Sequence, residues 1–361
     1  MSERLKNLRT TIQEIERYVP GKSIEEIARG YGHSPAEILK LGSNENQLGP
    51  SMFAVEAIRQ AAGSVHLYPE ADAPRLIEAL SQYIAVPEEL IVASGGGMDG
   101  VIDTLMRMFV REGKDVIIPT PTFSYYEISA LANGGRPVFV PRGEDFAVDT
   151  ERIIRAAGDA SLIFLCSPNN PTGNQVSEKD LRGVLESVGA LVFLDEAYVE
   201  FADRNFINLV REYDNLVVGR TFSKAFGLAG LRLGYALMSE TIKRDYMKVA
   251  TPFSISRVAE YAGIAALADR EHLKESVEMV RRGRTQLSGG LNLETYPSQA
   301  NFILAKTYPH LASEITTKLL GKGIIIRDCT SFRDAGKYLV RITVGREEQN
   351  ERVIDSLNRM V

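Results

Sequence analysis

The chain has 361 residues, 44% of them hydrophobic and 25% charged, with a formal net charge of −5. That length exceeds one comfortable core, so two domains are expected, and the mild acidity without a run of five basic residues argues against nucleic acid or an anionic membrane as partner. No stretch of eighteen apolar residues could span a bilayer, and the opening "MSERLKNLRTTIQEIERY" has no apolar signal core; with two distant cysteines, Cys166 and Cys329, outside any C-x-x-C pair, this suits a reducing cytoplasm.

In chain order, residues 1–45 should begin with an amphipathic helix and reach a short strand at "ILKLGS" (38–43). From there helices and apolar runs alternate. Helices are predicted at 52–62 and 74–84, a strand at "LIVAS" (90–94), a helix at 97–110 and a strand at "DVIIP" (115–119). A helix at 125–133 follows, then strands "RPVFV" and "SLIFLC" (161–166), a helix at 177–188, and strands "ALVFLDE" (190–196), "NLVVGR" and "RLGYALM". Apolar runs of four to six residues between helices predict a mainly parallel sheet covered on both faces, hence an α/β fold. Beyond about 250 two helices precede strands "ANFILAK", "GIIIRD" and "YLVRITVG" and a closing helix, a smaller α+β unit. The expected division is 1–45 as an N-terminal arm, 46–250 as the large unit and 251–361 as the small one.

In such sheets ligands bind at the carboxyl ends of strands, and four loops there stand out. "SGGGMDG" (94–100) can turn backbone amides toward a phosphate at a helix start, or be a plain tight turn; it lacks both the dinucleotide and the Walker spacing. "CSPNNPTG" (166–173) could aim the amides of Asn169 and Asn170 into a cleft, or serve as a rigid turn. Asp195 and Glu196 follow a buried run, where a carboxylate can meet a cationic ring nitrogen or cap the next segment. The four histidines are scattered, so no metal site is expected. Lys224 sits in "RTFSKAFGLAGLR" among small and apolar neighbours, either snorkelling or made nucleophilic by burial; Thr221, Ser223 and Arg232 are at hand for a phosphate. Together the loops offer a phosphate cup, a carboxylate for a ring nitrogen, an amide for a phenolic oxygen and an amine for an aldehyde. That is the outline of a site for pyridoxal 5′-phosphate.

"SPNNPTG", "DEAY" and "TFSKAFGLAGLRLGY" resemble the fold type I pyridoxal-phosphate aminotransferases, and within them the histidinol-phosphate group; the likeness runs from "YVPGK" (18–22) to "LVRITVGREEQN". The resemblance implies a seven-stranded sheet and a Schiff base on Lys224, which also shuttles a proton. It implies that Asp195 meets the pyridinium nitrogen while Asn170 and Tyr198 hold the phenolic oxygen. Gly96 and Gly97 (through their backbone), Thr221, Ser223 and Arg232 would hold the phosphate, with Phe123 against the ring. Tyr68 would reach the cofactor of a partner subunit in a homodimer. Arg341, Arg327, Tyr18 and Asn44 would receive the substrate, with the two arginines suiting a dianion and Arg327 alternatively pairing with Asp328. Two positions depart from the group's pattern: Gln47 in "NENQLGP", and Met98 in the phosphate loop. The implied reaction is transamination of L-histidinol phosphate with 2-oxoglutarate. Threonine-phosphate decarboxylation and aromatic transamination are the alternatives.

Overall fold

The computed structural model describes residues 9–361. The helix expected at the start of the chain falls partly on residues 1–8, outside the described residues. Thr10–Glu14 forms a 3-10 turn that lies against Tyr125–Ala132 and has no fully buried residue. Ser23 then caps α1 (Ile24–Tyr31) by accepting the Glu26 N–H, and the strand expected at 38–43 is the short β1 (Leu39–Lys40).

The large unit then runs α2 (Met52–Ala62), α3 (Pro74–Ile84), β2 (Ile91–Gly95), α4 (Met98–Phe109), β3 (Asp115–Thr120), α5 (Tyr125–Ala132), β4 (Arg136–Pro141), α6 (Thr150–Ala157), β5 (Leu162–Cys166), α7 (Glu178–Ser187), β6 (Leu191–Asp195), β7 (Leu216–Thr221), β8 (Leu233–Leu237), α8 (Glu240–Val249) and α9 (Arg257–Ala268). Seven strands form one sheet in the order β2-β8-β7-β6-β5-β3-β4. It is parallel from β4 to β7, and β8 runs antiparallel to both β7 and β2. Every residue of β5, β6 and β7 is buried. Their side chains sort with a period of two: Phe164, Cys166 and Phe193 enter one hydrophobic cluster, and Ile163, Leu165, Val192 and Leu194 enter the other. Helices on both faces therefore demand the unbroken apolar runs seen in the sequence.

The remainder comprises α10 (Arg270–Gly290), β9 (Glu294–Tyr296), β10 (Phe302–Lys306), α11 (Ala312–Leu320), β11 (Ile324–Ile325), β12 (Arg327–Asp328), β13 (Leu339–Thr343) and α12 (Glu347–Asn358). Four of its strands make an antiparallel sheet, β12-β13-β10-β9. β11 pairs in parallel with β1, which ties the N-terminal segment to the C-terminal unit. α9, which the expected division at 250 assigns to the small unit, packs instead against α2 and α3 of the large unit. Among the described residues no helix is long and apolar enough to cross a membrane.

Candidate active site

A cavity of about 250 Å³ opens at the carboxyl ends of β5, β6 and β7, where the loop after each strand meets β12 and β13. Lys224 enters it three residues beyond β7, on a turn anchored by buried Phe222, Ala225 and Phe226. Its Nζ donates to the Ser43 carbonyl at 3.4 Å and lies 5.6 Å from the centroid of the Tyr198 ring. Burial, reinforced by the nearby Arg341 guanidinium, brings the amine down to about 8. An amine lowered this far is half neutral near pH 8, the form in which a lysine can act as a nucleophile.

Asp195, the last residue of β6, is buried in the same cavity. The Ala197 N–H donates to its Oδ1 at 2.9 Å and the Tyr126 O–H to its Oδ2 at 2.5 Å. Burial pushes the carboxyl up to about 6, and both hydrogen bonds oppose that rise. Tyr126 is a site residue that the sequence reading missed; its one signal was its place in "PTFSYY", beside Phe123. Phe123 lines the cavity with Tyr126 edge-on at 5.6 Å and Tyr18 edge-on at 6.4 Å.

The glycine loop leads from β2 into α4. Gly96 and Gly97 sit at φ +85° and +73°, and a Cβ on Gly97 would lie 3.1 Å from the Arg232 guanidinium. One expectation needs correction here. The Gly97 N–H donates to the Arg232 carbonyl at 2.7 Å, so that amide is spent on the loop itself and is not turned toward an anion. Further amides follow directly: among the described residues no side chain caps α4, and Met98 and Asp99 of its first turn line the cavity. The Thr221 and Ser223 hydroxyls stand 3.0 Å apart close by. Arg232, itself at φ +52°, donates to Asp99 Oδ2 at 2.8 Å and to the Gly96 carbonyl at 3.1 Å. An uncapped helix start, two hydroxyls and a guanidinium make a set of donors that fits a phosphate.

On the opposite wall, Asn44 Nδ2 donates to the Tyr198 hydroxyl at 3.0 Å. Asn44 is held at φ +56° by bonds to Thr343 and Asn301, which join this wall to the antiparallel sheet. Asn170 Oδ1 accepts from Arg341 Nη1. Asn169 does not face the cleft as expected. Its amide is consumed by Thr122, Pro121 and Thr172, so it builds the loop that presents Asn170. Gln47 folds back on the same wall, its Nε2 donating to the carbonyls of Glu45 and Lys40 at 3.3 and 3.4 Å.

Arg341 on β13 and Arg327 on β12 are direct cross-strand partners, and both line the cavity. Arg341 is 5% exposed, donates through Nη2 to the Gly42 carbonyl at 2.7 Å, and keeps a buried Nε with no partner among the described residues. Arg327 Nη2 donates to the Val19 carbonyl at 2.9 Å and to Ser331 Oγ at 3.0 Å. Arg327 makes no ion pair with Asp328 among the described residues; that carboxylate accepts the Thr330 N–H at 2.8 Å instead. Like charges facing each other across a strand pair repel, and an anion between them removes the cost. Tyr68 is not brought to this cavity: it is 81% exposed and packs 5.2 Å from the Phe253 ring on another face.

The profile of the family "Aminotransferase class I and II" matches residues 36–357. The chain belongs to that family. A histidinol-phosphate aminotransferase from Methanosarcina barkeri is 57% identical over 348 residues, covering 96% of this chain and 95% of the relative. The histidinol-phosphate aminotransferase structure from Sinorhizobium meliloti, in complex with pyridoxal 5′-phosphate, superposes with a TM-score of 0.87 at 28% identity, covering 98% of this chain and 97% of that one. An L-threonine-O-3-phosphate decarboxylase from Porphyromonas gingivalis reaches a TM-score of 0.79 at 24% identity over 90% of this chain and 99% of its own, a likeness of fold alone. The seven-stranded sheet with a smaller antiparallel unit is therefore the aminotransferase fold, and the enzyme is a transaminase.

Proposed function

We propose that this aminotransferase moves the amino group of L-histidinol phosphate to 2-oxoglutarate, using pyridoxal 5′-phosphate, as a cytoplasmic homodimer. The observation that carries the substrate is the facing pair of cavity arginines, Arg327 and Arg341. Two guanidinium groups opposed across one strand pair match a phosphate dianion better than a single carboxylate.

The donor set fits the cofactor, which when bound supplies an aldehyde and an electron sink. Met98 and Asp99 amides, Thr221, Ser223 and Arg232 would hold its phosphate. Asp195 would keep a proton on the ring nitrogen, Asn170 and Tyr198 would bind the phenolic oxygen, and Phe123 would cover one ring face. Lys224, with its amine near 8, would supply the nitrogen for that aldehyde, and its amine is the group placed to hold and move the proton of the substrate's α-carbon. Tyr18, edge-on to Phe123, closes the cavity against water on the substrate side, and Asn44 keeps the Tyr198 hydroxyl in place. Tyr68, exposed on this chain, reaches the neighbouring subunit's site.

The test is product identity. Purified enzyme with L-histidinol phosphate and 2-oxoglutarate should yield L-glutamate stoichiometrically and release no carbon dioxide from L-threonine phosphate. Carbon dioxide release, or equal efficiency on L-phenylalanine, would favour one of the two alternatives instead.

A further inference from the structure

We propose that Tyr126 is a positioning residue for Asp195, its phenol fixing the orientation of the carboxylate and sustaining its charge. This inference rests on the reading of Asp195 as the partner of the cofactor's ring nitrogen. Each Asp195 oxygen accepts one hydrogen bond from the protein among the described residues. The Ala197 amide serves Oδ1 and comes with the loop that follows β6. The donor to Oδ2 is brought from α5, 69 positions earlier in the chain.

The phenol has little freedom to be elsewhere. Tyr126 is fully buried, and its ring stacks on Phe164 of β5 at 4.2 Å with an interplanar angle of 4°. Phe123 closes in at right angles, 5.6 Å away. The helix that carries Tyr126 is pinned to α4 by one carboxylate, Asp103, which accepts from Tyr125 at 2.8 Å and from Ser129 at 2.6 Å. One short segment, 123–126, thus delivers both the face for the ring and the anchor for the carboxylate at its edge.

Chemistry explains why the anchor is a hydroxyl donor. A buried carboxyl tends to take up a proton, and a neutral Asp195 cannot support a cationic ring nitrogen. The groups facing it are Tyr126 from α5, Cys166 from β5, Asp99 from α4, Lys224 beyond β7 and Tyr198 on its own loop. Asp99 works against the charge and Lys224 for it. The Cys166 thiol donates to the Pro168 carbonyl at 3.3 Å. The Tyr126 phenol, raised well above its ordinary range by burial, stays protonated and so remains a donor.

Tyr126→Phe removes one O–H and leaves the stack on Phe164. The first readout is the titration of the 13C-labelled Asp195 carboxyl by NMR in cofactor-free protein, assigned against Asp195→Asn. Its midpoint should rise by about one pH unit, since one charge-supporting hydrogen bond is lost. The second is the pyridoxal-phosphate dissociation constant as a function of pH. If the ionised carboxylate is what binds, a midpoint moved from about 6 to about 7 weakens binding roughly fivefold at pH 6 and not at pH 8.5. A purely structural role would weaken binding equally at every pH, and an unmoved carboxyl midpoint would likewise overturn the inference. If Asp195→Asn leaves cofactor affinity unchanged in the wild-type background, the reading of Asp195 fails instead, whatever Tyr126 does. Should the phenylalanine variant be too unstable to titrate, 3-fluorotyrosine at position 126, a more acidic donor, must lower the Asp195 midpoint; no movement refutes the role.

Discussion

Removing the Arg327 guanidinium by Arg327→Ala tests the substrate assignment quantitatively. Its Nη2 is engaged by the Val19 carbonyl and Ser331 Oγ, while Nε and Nη1 have no protein partner among the described residues. Those two donors can make two charge-assisted hydrogen bonds to a phosphate, each costing about 1.5–3 kcal/mol when lost. Arg327 is partly exposed, so the lower figure applies and the sum is about 3 kcal/mol. That corresponds to a loss of roughly 100-fold in kcat/KM for L-histidinol phosphate, carried mainly by KM because the phosphate is distant from the reacting carbon. L-Phenylalanine has no phosphate, and its carboxylate falls to Arg341; it should lose less than about threefold. The assay is steady-state kinetics on both amino donors with saturating 2-oxoglutarate, alongside a thermal melt. Relief of the Arg327–Arg341 repulsion offsets the two lost hydrogen bonds, so Tm should stay within about 2 °C. Equal losses on the two donors would refute the phosphate role of Arg327.

Lys224→Ala should abolish turnover while keeping the fold, and in the wild type the rate of pyridoxal-phosphate capture should climb with pH through a midpoint at about 8, as the amine becomes neutral; a flat profile contradicts the assignment. Glu200 lies beside the buried Arg220–Glu196 pair with its Oε1 unpartnered among the described residues, and burial pushes it up to about 7. Because its folded value is raised, its stabilising share is complete below its unfolded value and is lost as pH rises through about 7. Glu200→Gln should therefore raise Tm at pH 8.5 and change it little at pH 5; the opposite order would remove Glu200 from the account. Mixing Tyr68→Ala with Lys224→Ala subunits should restore activity that neither has alone, since a hybrid dimer holds one site free of both changes. No recovery after subunit exchange would count against a shared site.

The central sheet was legible because β5 and β6 are buried at every position, leaving apolar runs that no amphipathic helix would show. The direction of β8 was not, since "LGYAL" reads alike in either sense and its reversal is fixed by pairing with β7 and β2. Helix α8 escaped notice because Tyr246 is its one buried residue, and α6 because it buries Ile153 and Ala157 alone. At the site, Lys224 and Asp195 were readable as odd residues at strand ends. The division of labour between Asn169 and Asn170 was not, because it depends on which amide Thr122 and Thr172 consume. The same holds for the glycine loop, where only the pairing of the Gly97 N–H with the Arg232 carbonyl shows that this amide is not available to an anion. Tyr126 was invisible since its meaning lies in a contact across 69 positions.

The most direct test of the account is the visible absorbance of the cofactor-loaded enzyme, before and after adding L-histidinol phosphate with no oxo acid present. The account predicts a yellow band that Lys224→Ala lacks in its pH-dependent form, and that collapses on adding the substrate and returns with 2-oxoglutarate. A yellow band indifferent to L-histidinol phosphate but discharged by L-threonine phosphate would contradict the substrate assignment.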